Sequence, residues 1–266
     1  MIGIFDSGLG GLSALKEFRK LMPSEDIIYF GDTGRVPYGS RSKETIIRYA
    51  IQDMNFLASH NIDAVMVACG TVSANALGIL REKFPRIPII GVIDAGARAA
   101  AKATKNGIVG ISGTLSTIAS KTFENKLLNE NPSIKTVPVA CPLFVPLVEN
   151  GFVDPDDEIT RLTAERYLTK VREAGADTLI LGCTHYPIIA PSIAKVLPGT
   201  TLINVGAAAA EELREIMVKR GYTDTDRVGK VEYYVSDEPV GFERTASIFL
   251  GEEIHDSVER IRIEQY

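Results

Sequence analysis

Short apolar segments alternate with longer amphipathic segments along the whole chain. The short segments have the length and the Val, Ile and Leu content of strands that are buried on both faces, and the longer ones have the spacing of helices. This alternation predicts an α/β fold, in which helices cover both sides of a parallel sheet. The predicted strands are residues 2–5, 27–30, 64–68, 89–92, 107–111, 135–139, 179–181 and 201–203, and the predicted helices include residues 43–59 and 159–174.

Two parts of the chain resemble each other, which suggests an internal duplication. Residues 62–71 and 176–185 each combine an aspartate, an apolar strand, a cysteine at its end and a hydroxyl residue, and residues 2–8 resemble residues 108–114 at a similar separation. Two equivalent α/β halves would place the two cysteines at corresponding strand ends, facing each other across the junction, where parallel sheets bind ligands. Chance similarity between βα units is the alternative.

The composition disfavours several classes of protein. The chain has 34 acidic and 29 basic residues, a net charge of −5 and no block of lysines and arginines, so it lacks the charge pattern of proteins that bind nucleic acids. No apolar run approaches the roughly 18 residues that a membrane span needs, and residues 1–6 do not resemble the start of a secretory signal. We therefore expect a cytoplasmic protein with neither a membrane nor a nucleic-acid partner.

Cysteine and histidine spacing gives no sign of a metal site. Cys69, Cys141 and Cys183 are widely spaced and odd in number, and none belongs to a CxxC motif, so neither a disulfide framework nor a tetrahedral zinc site is indicated. His60 and His255 have no ligand-like neighbours in the sequence. We predict that the protein binds no metal.

A glycine-rich turn with an aspartate follows the first predicted strand. Residues 6–13, DSGLGGLS, precede helix-like sequence, and the N–H groups of such a turn can bind an anion. The turn lacks the third glycine of a dinucleotide fingerprint, and Asp6 would repel a pyrophosphate, so the turn better suits a ligand that carries an ammonium group as well as a carboxylate. The alternative is a tight turn in which Asp6 only caps the helix.

A second candidate binding loop follows the next strand. Residues 31–42 contain glycines, a proline, Tyr38 and two arginines. Loops with this many recognition groups at the carboxyl end of a strand usually bind a ligand. The alternative is that Pro37, Tyr38 and Gly39 form a structural turn with an anchoring aromatic side chain.

Cys69 and Cys183 are the residues that most suggest catalysis. Each ends an apolar strand and is followed by hydrogen-bonding residues, Thr71 near Cys69 and Thr184 with His185 after Cys183. The ordinary pKa of a thiol is about 8.5, so charged neighbours and hydrogen bonds can make it an acid or a base near neutral pH. Two thiols on opposite faces of a substrate carbon could remove a proton from one side and return it to the other, which inverts a stereocentre. The alternative is that each is a small buried apolar residue.

His185 lies two residues after Cys183, a spacing that points both side chains the same way in an extended segment. Its imidazole could therefore tune this thiol or relay protons to it. The alternative is a capping or solvent-exposed histidine.

Cys141 has apolar neighbours and no titratable residue between it and Glu149, so we assign it to packing.

Four motifs follow one another along the chain: Asp6-Ser7-Gly8, Arg35-Val36-Pro37-Tyr38-Gly39, Ala68-Cys69-x-Thr71 and Gly182-Cys183-Thr184-His185-Tyr186-Pro187. In this order and combination they resemble the glutamate racemases of the aspartate/glutamate racemase superfamily. The segment from Cys141 to Glu149 also resembles the sequence that precedes the second cysteine motif of that family. The resemblance covers essentially the whole chain.

This resemblance implies a cofactor-independent isomerase that interconverts L- and D-glutamate and supplies D-glutamate for peptidoglycan, and so for cell-wall synthesis and cell shape. It also implies a homodimer. The implied fold consists of two pseudo-symmetric, flavodoxin-like α/β domains with parallel sheets and the active site at their interface. The first domain comprises residues 1–94 and 208–266, with Asp6 and Cys69, and the second comprises residues 95–207, with Cys183 and His185.

The resemblance also assigns roles to single residues. By motif position, Cys69 and Cys183 would be the catalytic acid/base thiols. Asp6 would assist Cys69, His185 would assist Cys183, and Glu149 would orient His185. Substrate contacts would come from Asp6, Ser7, Tyr38, Gly39, Thr71, Thr184, His185 and the N–H group of Gly70.

Position 70 departs from the family's pattern, in which an asparagine most often follows the first cysteine. Gly70 keeps the N–H group but lacks a side-chain amide, and such a contact to a charged group is typically worth about 1.5–3 kcal/mol. We expect water, Ser73 or Asn75 to replace it.

Aspartate or hydantoin racemisation and one-thiol decarboxylation remain alternatives with the same fold. Dinucleotide-dependent oxidation through the glycine-rich turn and a two-lobed binding protein are alternatives from other classes.

Overall fold

The computed structural model describes residues 1–223, 225–239, 242–254 and 257–266, and His255 lies outside them. The strands are β1 (Ile2–Asp6), β2 (Ile27–Gly31), β3 (Ala64–Val67), β4 (Ile89–Gly91), β5 (Ile108–Gly113), β6 (Lys135–Ala140), β7 (Thr178–Leu181), β8 (Thr201–Asn204), β9 (Val231–Val235) and β10 (Val258–Arg260). The α-helices are α1 (Leu12–Leu21), α2 (Lys43–Ala58), α3 (Gly70–Asn75), α4 (Leu77–Lys83), α5 (Val92–Ala103), α6 (Leu115–Ala119), α7 (Thr122–Glu130), α8 (Phe144–Glu149), α9 (Glu158–Glu173), α10 (Ala190–Val196), α11 (Val205–Lys219) and α12 (Phe242–Leu250).

The strands form two parallel sheets, and four strands of the first sheet have the same order as the four strands of the second. The first sheet has the order β10-β9-β2-β1-β3-β4, and the second has the order β6-β5-β7-β8. In the first sheet β1 lies between β2 and β3, and in the second sheet β5 lies between β6 and β7, as in a flavodoxin-like sheet. This order makes β1 equivalent to β5 and β3 equivalent to β7. The predicted α/β fold is confirmed, and the repeated sequence segments lie on equivalent strands.

All of the strands predicted from the sequence are present, with bounds that differ by one or two residues. The sequence analysis missed β9 and β10, which extend the first sheet beyond β2. The sequence of β9 is VEYYV, which is not a continuous apolar run, and β10 has only 3 residues, of which two are charged. Both strands depend on pairing with neighbours that are distant in the sequence, which local patterns do not reveal.

Two long helices begin and end where the sequence provides capping residues. α2 begins after Ser42, whose side chain accepts a hydrogen bond from the Thr45 N–H group. α9 begins after Asp157, which accepts one from the Thr160 N–H group, and Gly175 follows its end with a φ of +69°, which favours glycine. Both helices agree with the predicted segments to within one residue. Among the described helices, none combines the length and the apolar character needed to cross a membrane.

Strand side chains alternate between two apolar cores. Ile2 and Ile4 of β1 belong to a core that is shared by both sheets, whereas Phe5 belongs to a second core on the other face of the first sheet. β1, β2 and β3 are buried along their whole length. Burial on both faces is characteristic of parallel sheets, and it fixes the register and therefore the level at which each strand ends.

Helices α5 and α11 connect the two sheets. α5 contacts β4 of the first sheet and β7 and β8 of the second, and α11 contacts β3, β4 and β8 and also packs against α5. The domain boundaries predicted from the sequence, after residues 94 and 207, fall inside these two helices. The division into two domains at these residues stays a prediction.

A buried polar cluster holds the loop that follows β2. Asp32 and Asp53 are fully buried, and Arg35 donates hydrogen bonds to them at 2.7 and 2.8 Å. The Tyr38 hydroxyl donates to Asp32 and lies 3.2 Å from Asp53, and the Ser236 hydroxyl donates to Asp32. Burial, followed by the neighbouring Asp32, raises the pKa of Asp53. Because one guanidinium compensates both carboxylates, the loop is tied to α2 and to the segment after β9.

We predict that Arg35→Met lowers the free energy of unfolding by about 3 kcal/mol or more, because the buried Asp32–Asp53 pair loses the cation that compensates its negative charge. Urea denaturation at pH 7 measures this change. Arg41→Met, at an exposed position near the same loop, is the control and should change the free energy of unfolding by less than about 0.5 kcal/mol. Equal effects of the two substitutions would contradict the structural role of Arg35.

Candidate active site

A cavity of about 410 Å³ lies where the carboxyl ends of the two sheets meet. Its walls come from the residues after β1, β3, β5 and β7, together with the loop after β2 and the segment around α8. A volume of this size is typical of small-molecule sites. Every residue to which the family resemblance assigns a catalytic or binding role lines this cavity.

Cys69 occupies the turn between β3 and α3, and its sulfur lies 3.4 Å from Ser7 Oγ. The residue is 5% exposed. Burial, followed by the negative charge of Asp6, raises the pKa of this thiol to about 12, while the hydrogen bond to Ser7 acts in the opposite direction. Cys69 therefore holds its proton at neutral pH.

Asp6 is the last residue of β1 and is almost fully buried. Its Oδ2 atom accepts hydrogen bonds from the N–H groups of Gly8 and Gly11, at 3.2 and 3.0 Å. Burial raises the pKa of Asp6, and the positive charge of His185 and the N–H groups oppose this shift. The carboxylate thus stabilises the glycine-rich turn and at the same time lines the cavity.

His185 lies between Cys183 and Glu149. Its Nδ1 atom is 3.8 Å from Cys183 Sγ and 3.3 Å from Thr184 Oγ1, and its Nε2 atom is 3.0 Å from Glu149 Oε1. Burial lowers the pKa of the imidazole, but hydrogen bonds to Cys183 and Glu149 and their charges outweigh burial and raise this pKa to about 10. The ring is therefore protonated at neutral pH, and both of its nitrogen atoms donate hydrogen bonds.

The two thiols have neighbours of opposite charge. The carboxylate of Asp6 acts on Cys69, whereas the imidazolium of His185 contacts Cys183. A negative neighbour favours the thiol, and a positive neighbour stabilises negative charge on sulfur. One cavity therefore contains a sulfur that keeps its proton and a sulfur beside a cation, an arrangement that can move a proton across a bound carbon atom.

The sequence analysis missed Thr114, which lines the cavity beside Thr71. Their Oγ1 atoms are 3.2 Å apart, and Thr114 also caps α6 by accepting a hydrogen bond from the Thr117 N–H group. The internal repeat contained the signal for this residue, because Thr114 ends the segment that resembles residues 2–8. Apolar residues of the wall carry no pattern that marks a ligand site and were missed as well. They include Leu115, Pro142, Val145 and Pro146.

Tyr38 lines the cavity, but its hydroxyl is hydrogen-bonded to Asp32 and Asp53 in the buried polar cluster. Burial, followed by the charges of these carboxylates, raises the pKa of Tyr38, so the hydroxyl keeps its proton. The side chain therefore anchors the loop and leaves the backbone to contact a ligand. A Cβ atom added to Gly39 would lie 3.2 Å from Thr114 Cβ, so the glycine lets this loop approach the second sheet.

The expectation that Ser73 or Asn75 replaces the missing asparagine side chain is wrong. The Ser73 hydroxyl donates a hydrogen bond to the Val67 carbonyl, and the Asn75 amide donates to the Thr71 carbonyl and to Ser116 Oγ. Neither residue lines the cavity. Among the described residues, this part of the cavity wall therefore offers a ligand backbone N–H groups and the hydroxyl of Thr71, and no side-chain amide.

Most hydrogen-bond donors in the cavity wall are neutral groups. Among the described residues, no lysine or arginine lines the cavity, and no group of His, Cys, Asp and Glu residues forms a candidate metal site. N–H groups and hydroxyls would therefore bind the carboxylates of a ligand. The hydroxyl groups belong to Ser7, Ser40, Thr71, Thr114 and Thr184.

Both the sequence and the fold match known racemases. A family model described as Asp/Glu/Hydantoin racemase matches residues 14–213. A glutamate racemase from Geobacter metallireducens is 46% identical over 259 residues, which are 96% of this chain and 94% of the relative. A solved glutamate racemase from Francisella tularensis, in complex with D-glutamate, is 37% identical with a TM-score of 0.92 and covers 100% of this chain and 98% of its own. A glutamate racemase from Thermus thermophilus, in complex with β-chloro-D-alanine, is also 37% identical, with a TM-score of 0.89 and the same coverage.

We predict that Glu149→Gln lowers the pKa of His185 from about 10 toward its ordinary value, because a neutral amide replaces the negative carboxylate that lies beside Nε2. NMR titration of the imidazole measures this pKa. A raised pKa stabilises the fold below the unfolded-state value, and this contribution is lost as the pH rises through the folded-state value. The stabilisation should therefore disappear between about pH 6.5 and 10 in the parent protein, and at lower pH in the variant.

Glu158→Gln, at an exposed position of α9, is the matched control and should leave the titration of His185 unchanged. If Glu149→Gln also leaves this titration unchanged, Glu149 does not hold the proton on His185.

Proposed function

The chain belongs to the Asp/Glu/Hydantoin racemase family, and we propose that it interconverts L- and D-glutamate by moving the α-proton between Cys69 and Cys183. The proposal rests on two cysteines that follow equivalent strands, β3 and β7, and line one cavity. Packing alone does not account for two thiols that both reach a ligand-sized cavity. Relatives with 40–46% identity over most of the chain are glutamate racemases, and a solved relative is in complex with D-glutamate.

In one direction, Cys183 removes the α-proton of the substrate, and Cys69 donates its own proton to the opposite face of the same carbon. Cys183 gains a proton, Cys69 becomes a thiolate, and the configuration of the carbon is inverted. The reverse reaction uses the same two groups with exchanged roles. The high pKa of the Cys69 thiol supports this assignment, because Cys69 then carries the proton before the first transfer, while His185 stabilises negative charge on Cys183.

The difficult step is the removal of a proton from a carbon that no electron-withdrawing cofactor activates. The site has to stabilise carbanion character with donors aimed at the substrate carboxylate and with an ammonium group that stays charged beside the reacting carbon. The buried carboxylate of Asp6 suits the ammonium group. The hydroxyls of Thr71 and Thr184 and the N–H group of Gly70 suit the carboxylates.

Positioning of the two thiols falls to their neighbours. Ser7, which lies within hydrogen-bond distance of Cys69, holds that sulfur toward the cavity. Glu149 fixes the ring of His185 through Nε2, so that Nδ1 faces Cys183. The loop at Tyr38 and Gly39 closes the cavity and contacts the substrate through its backbone.

We also propose a cellular role and an assembly that rest on the resemblance to this family. The protein is a cytoplasmic homodimer that supplies D-glutamate for peptidoglycan. Sedimentation equilibrium tests the dimer.

A circular-dichroism assay on L-glutamate, D-glutamate and both enantiomers of aspartate, without any added cofactor, tests the reaction itself. We expect the signal of either glutamate enantiomer to decay to zero and aspartate to react far more slowly. Faster racemisation of aspartate would reassign the substrate, and a strict requirement for pyridoxal phosphate would overturn the two-thiol mechanism.

We predict that Cys69→Ser and Cys183→Ser each lower the rate of racemisation by at least roughly 10³-fold, because a hydroxyl is too weak an acid to exchange the proton. Cys141→Ser is the control. Cys141 is buried and does not line the cavity, so this variant should stay active. In heavy water the wild-type product should carry deuterium at its α-carbon, and full racemase activity of either cavity variant would refute the assignment of both thiols.

A further inference from the structure

The loops that carry the two cavity cysteines contact each other through their main chains. Gly70 directly follows Cys69, and Gly182 directly precedes Cys183. A Cβ atom added to Gly70 would lie 2.5 Å from the carbonyl oxygen of Gly182, a separation that steric repulsion forbids. Any side chain at position 70 therefore has to displace one of the two loops.

Gly182 has little room to move away from this contact. Its N–H group donates to the Ser112 carbonyl of β5 at 2.9 Å, and a Cβ atom at position 182 would overlap that carbonyl oxygen and approach the Phe123 ring to 2.8 Å. Ser112 and Phe123 are both buried. Displacement caused by a side chain at position 70 would therefore fall on Cys69 and α3.

A second contact lies on the other side of Cys183. The Ser13 hydroxyl donates to the Thr184 carbonyl at 2.8 Å, and a Cβ atom added to Gly10 would overlap Thr184 Oγ1. The turn after β1 therefore packs against the residue that follows Cys183. Because the residues before and after Cys183 both make these contacts, Cys183 is fixed relative to the first sheet. A side chain at position 70 therefore moves the sulfur of Cys69.

We propose that Gly70 is a positioning residue that sets the separation of the Cys69 and Cys183 sulfur atoms. This inference rests on the proposed function, because the separation matters only if both thiols act on one carbon. Inversion requires both sulfurs to reach that carbon from opposite faces, and a misplacement of about 1 Å can lower such a rate by about 100-fold. In this chain, the close approach of the two loops therefore favours glycine at position 70.

Removal of the α-proton alone needs only one correctly placed thiol, and 3-chloroglutamate reports this step. When a thiolate takes the α-proton, the electron pair of the C–H bond forms a double bond to the β-carbon and chloride departs. Water hydrolyses the resulting enamine, through its imine, to 2-oxoglutarate and ammonia. The sequence of steps needs neither a second thiol nor an oxidant, whereas racemisation of glutamate needs both thiols.

We expect Gly70→Ala to lower kcat for glutamate racemisation by about 100-fold and to leave chloride release within about threefold of the wild-type rate for the α-enantiomer of 3-chloroglutamate that Cys183 deprotonates. KM for glutamate should change little, because the N–H group of position 70 remains. Gly78→Ala is the matched control, since a Cβ atom at position 78 meets nothing within 4 Å, and both of its rates should equal those of the wild type. Gly70→Asn should show the same separation of the two rates as Gly70→Ala.

Three outcomes would overturn the inference: unchanged racemisation in Gly70→Ala, a parallel loss of both reactions in a folded variant, or faster racemisation in Gly70→Asn. If Gly70→Ala does not fold, the comparison is made with Gly10→Ala, whose Cβ would press on Thr184 and His185 beside Cys183. Racemisation should fall in that variant, and chloride release should then be spared for the enantiomer that Cys69 deprotonates. A wild-type protein that eliminates chloride but does not racemise glutamate would refute the proposed function instead.

Discussion

The candidate active site depends on the parallel pairing within two equivalent sheets. Phe5 pairs with Val67 in the first sheet, and Ser112 pairs with Leu181 in the second, so β1 and β3 end at the same level, as do β5 and β7. In a parallel sheet all carboxyl ends lie at one edge, and a ligand binds at the edge where neighbouring connections diverge. Two such edges that face each other create one cavity, with a cysteine after the third strand on either side.

Burial makes this arrangement chemically useful. Cys69 and Cys183 are 5% and 8% exposed, so a charge in the cavity is weakly screened and a single neighbour has a large effect. Asp6 near one thiol and His185 near the other make the two sides of the cavity electrostatically unequal, although both carry the same type of residue. Glu149 reaches His185 from α8, so the charge at Cys183 depends on a residue from a different part of the second half.

The sequence predicted strands β1 to β8 and the polar residues of the cavity motifs because these features are local. Buried parallel strands are continuous apolar runs, and the cysteine, threonine and histidine motifs directly follow them. β9 and β10 were missed because their pairing with β2 joins segments that are far apart in the chain. Ser73 and Asn75 were expected at the ligand but bond to the backbone of their own segment and to a neighbouring serine, and this choice depends on how α3 packs.

By itself, the sequence determined the α/β class, the internal repeat and the identity of the two thiols with their hydrogen-bonding neighbours. Tertiary structure alone decided that both thiols reach one cavity, that the Tyr38 hydroxyl bonds to buried carboxylates rather than facing a ligand, and that Gly70 lies against Gly182. The physical reason is the separation along the chain over which each kind of interaction acts. Hydrophobic periodicity and turn chemistry act over a few residues, whereas distances across the cavity follow from the packing of two sheets against shared helices.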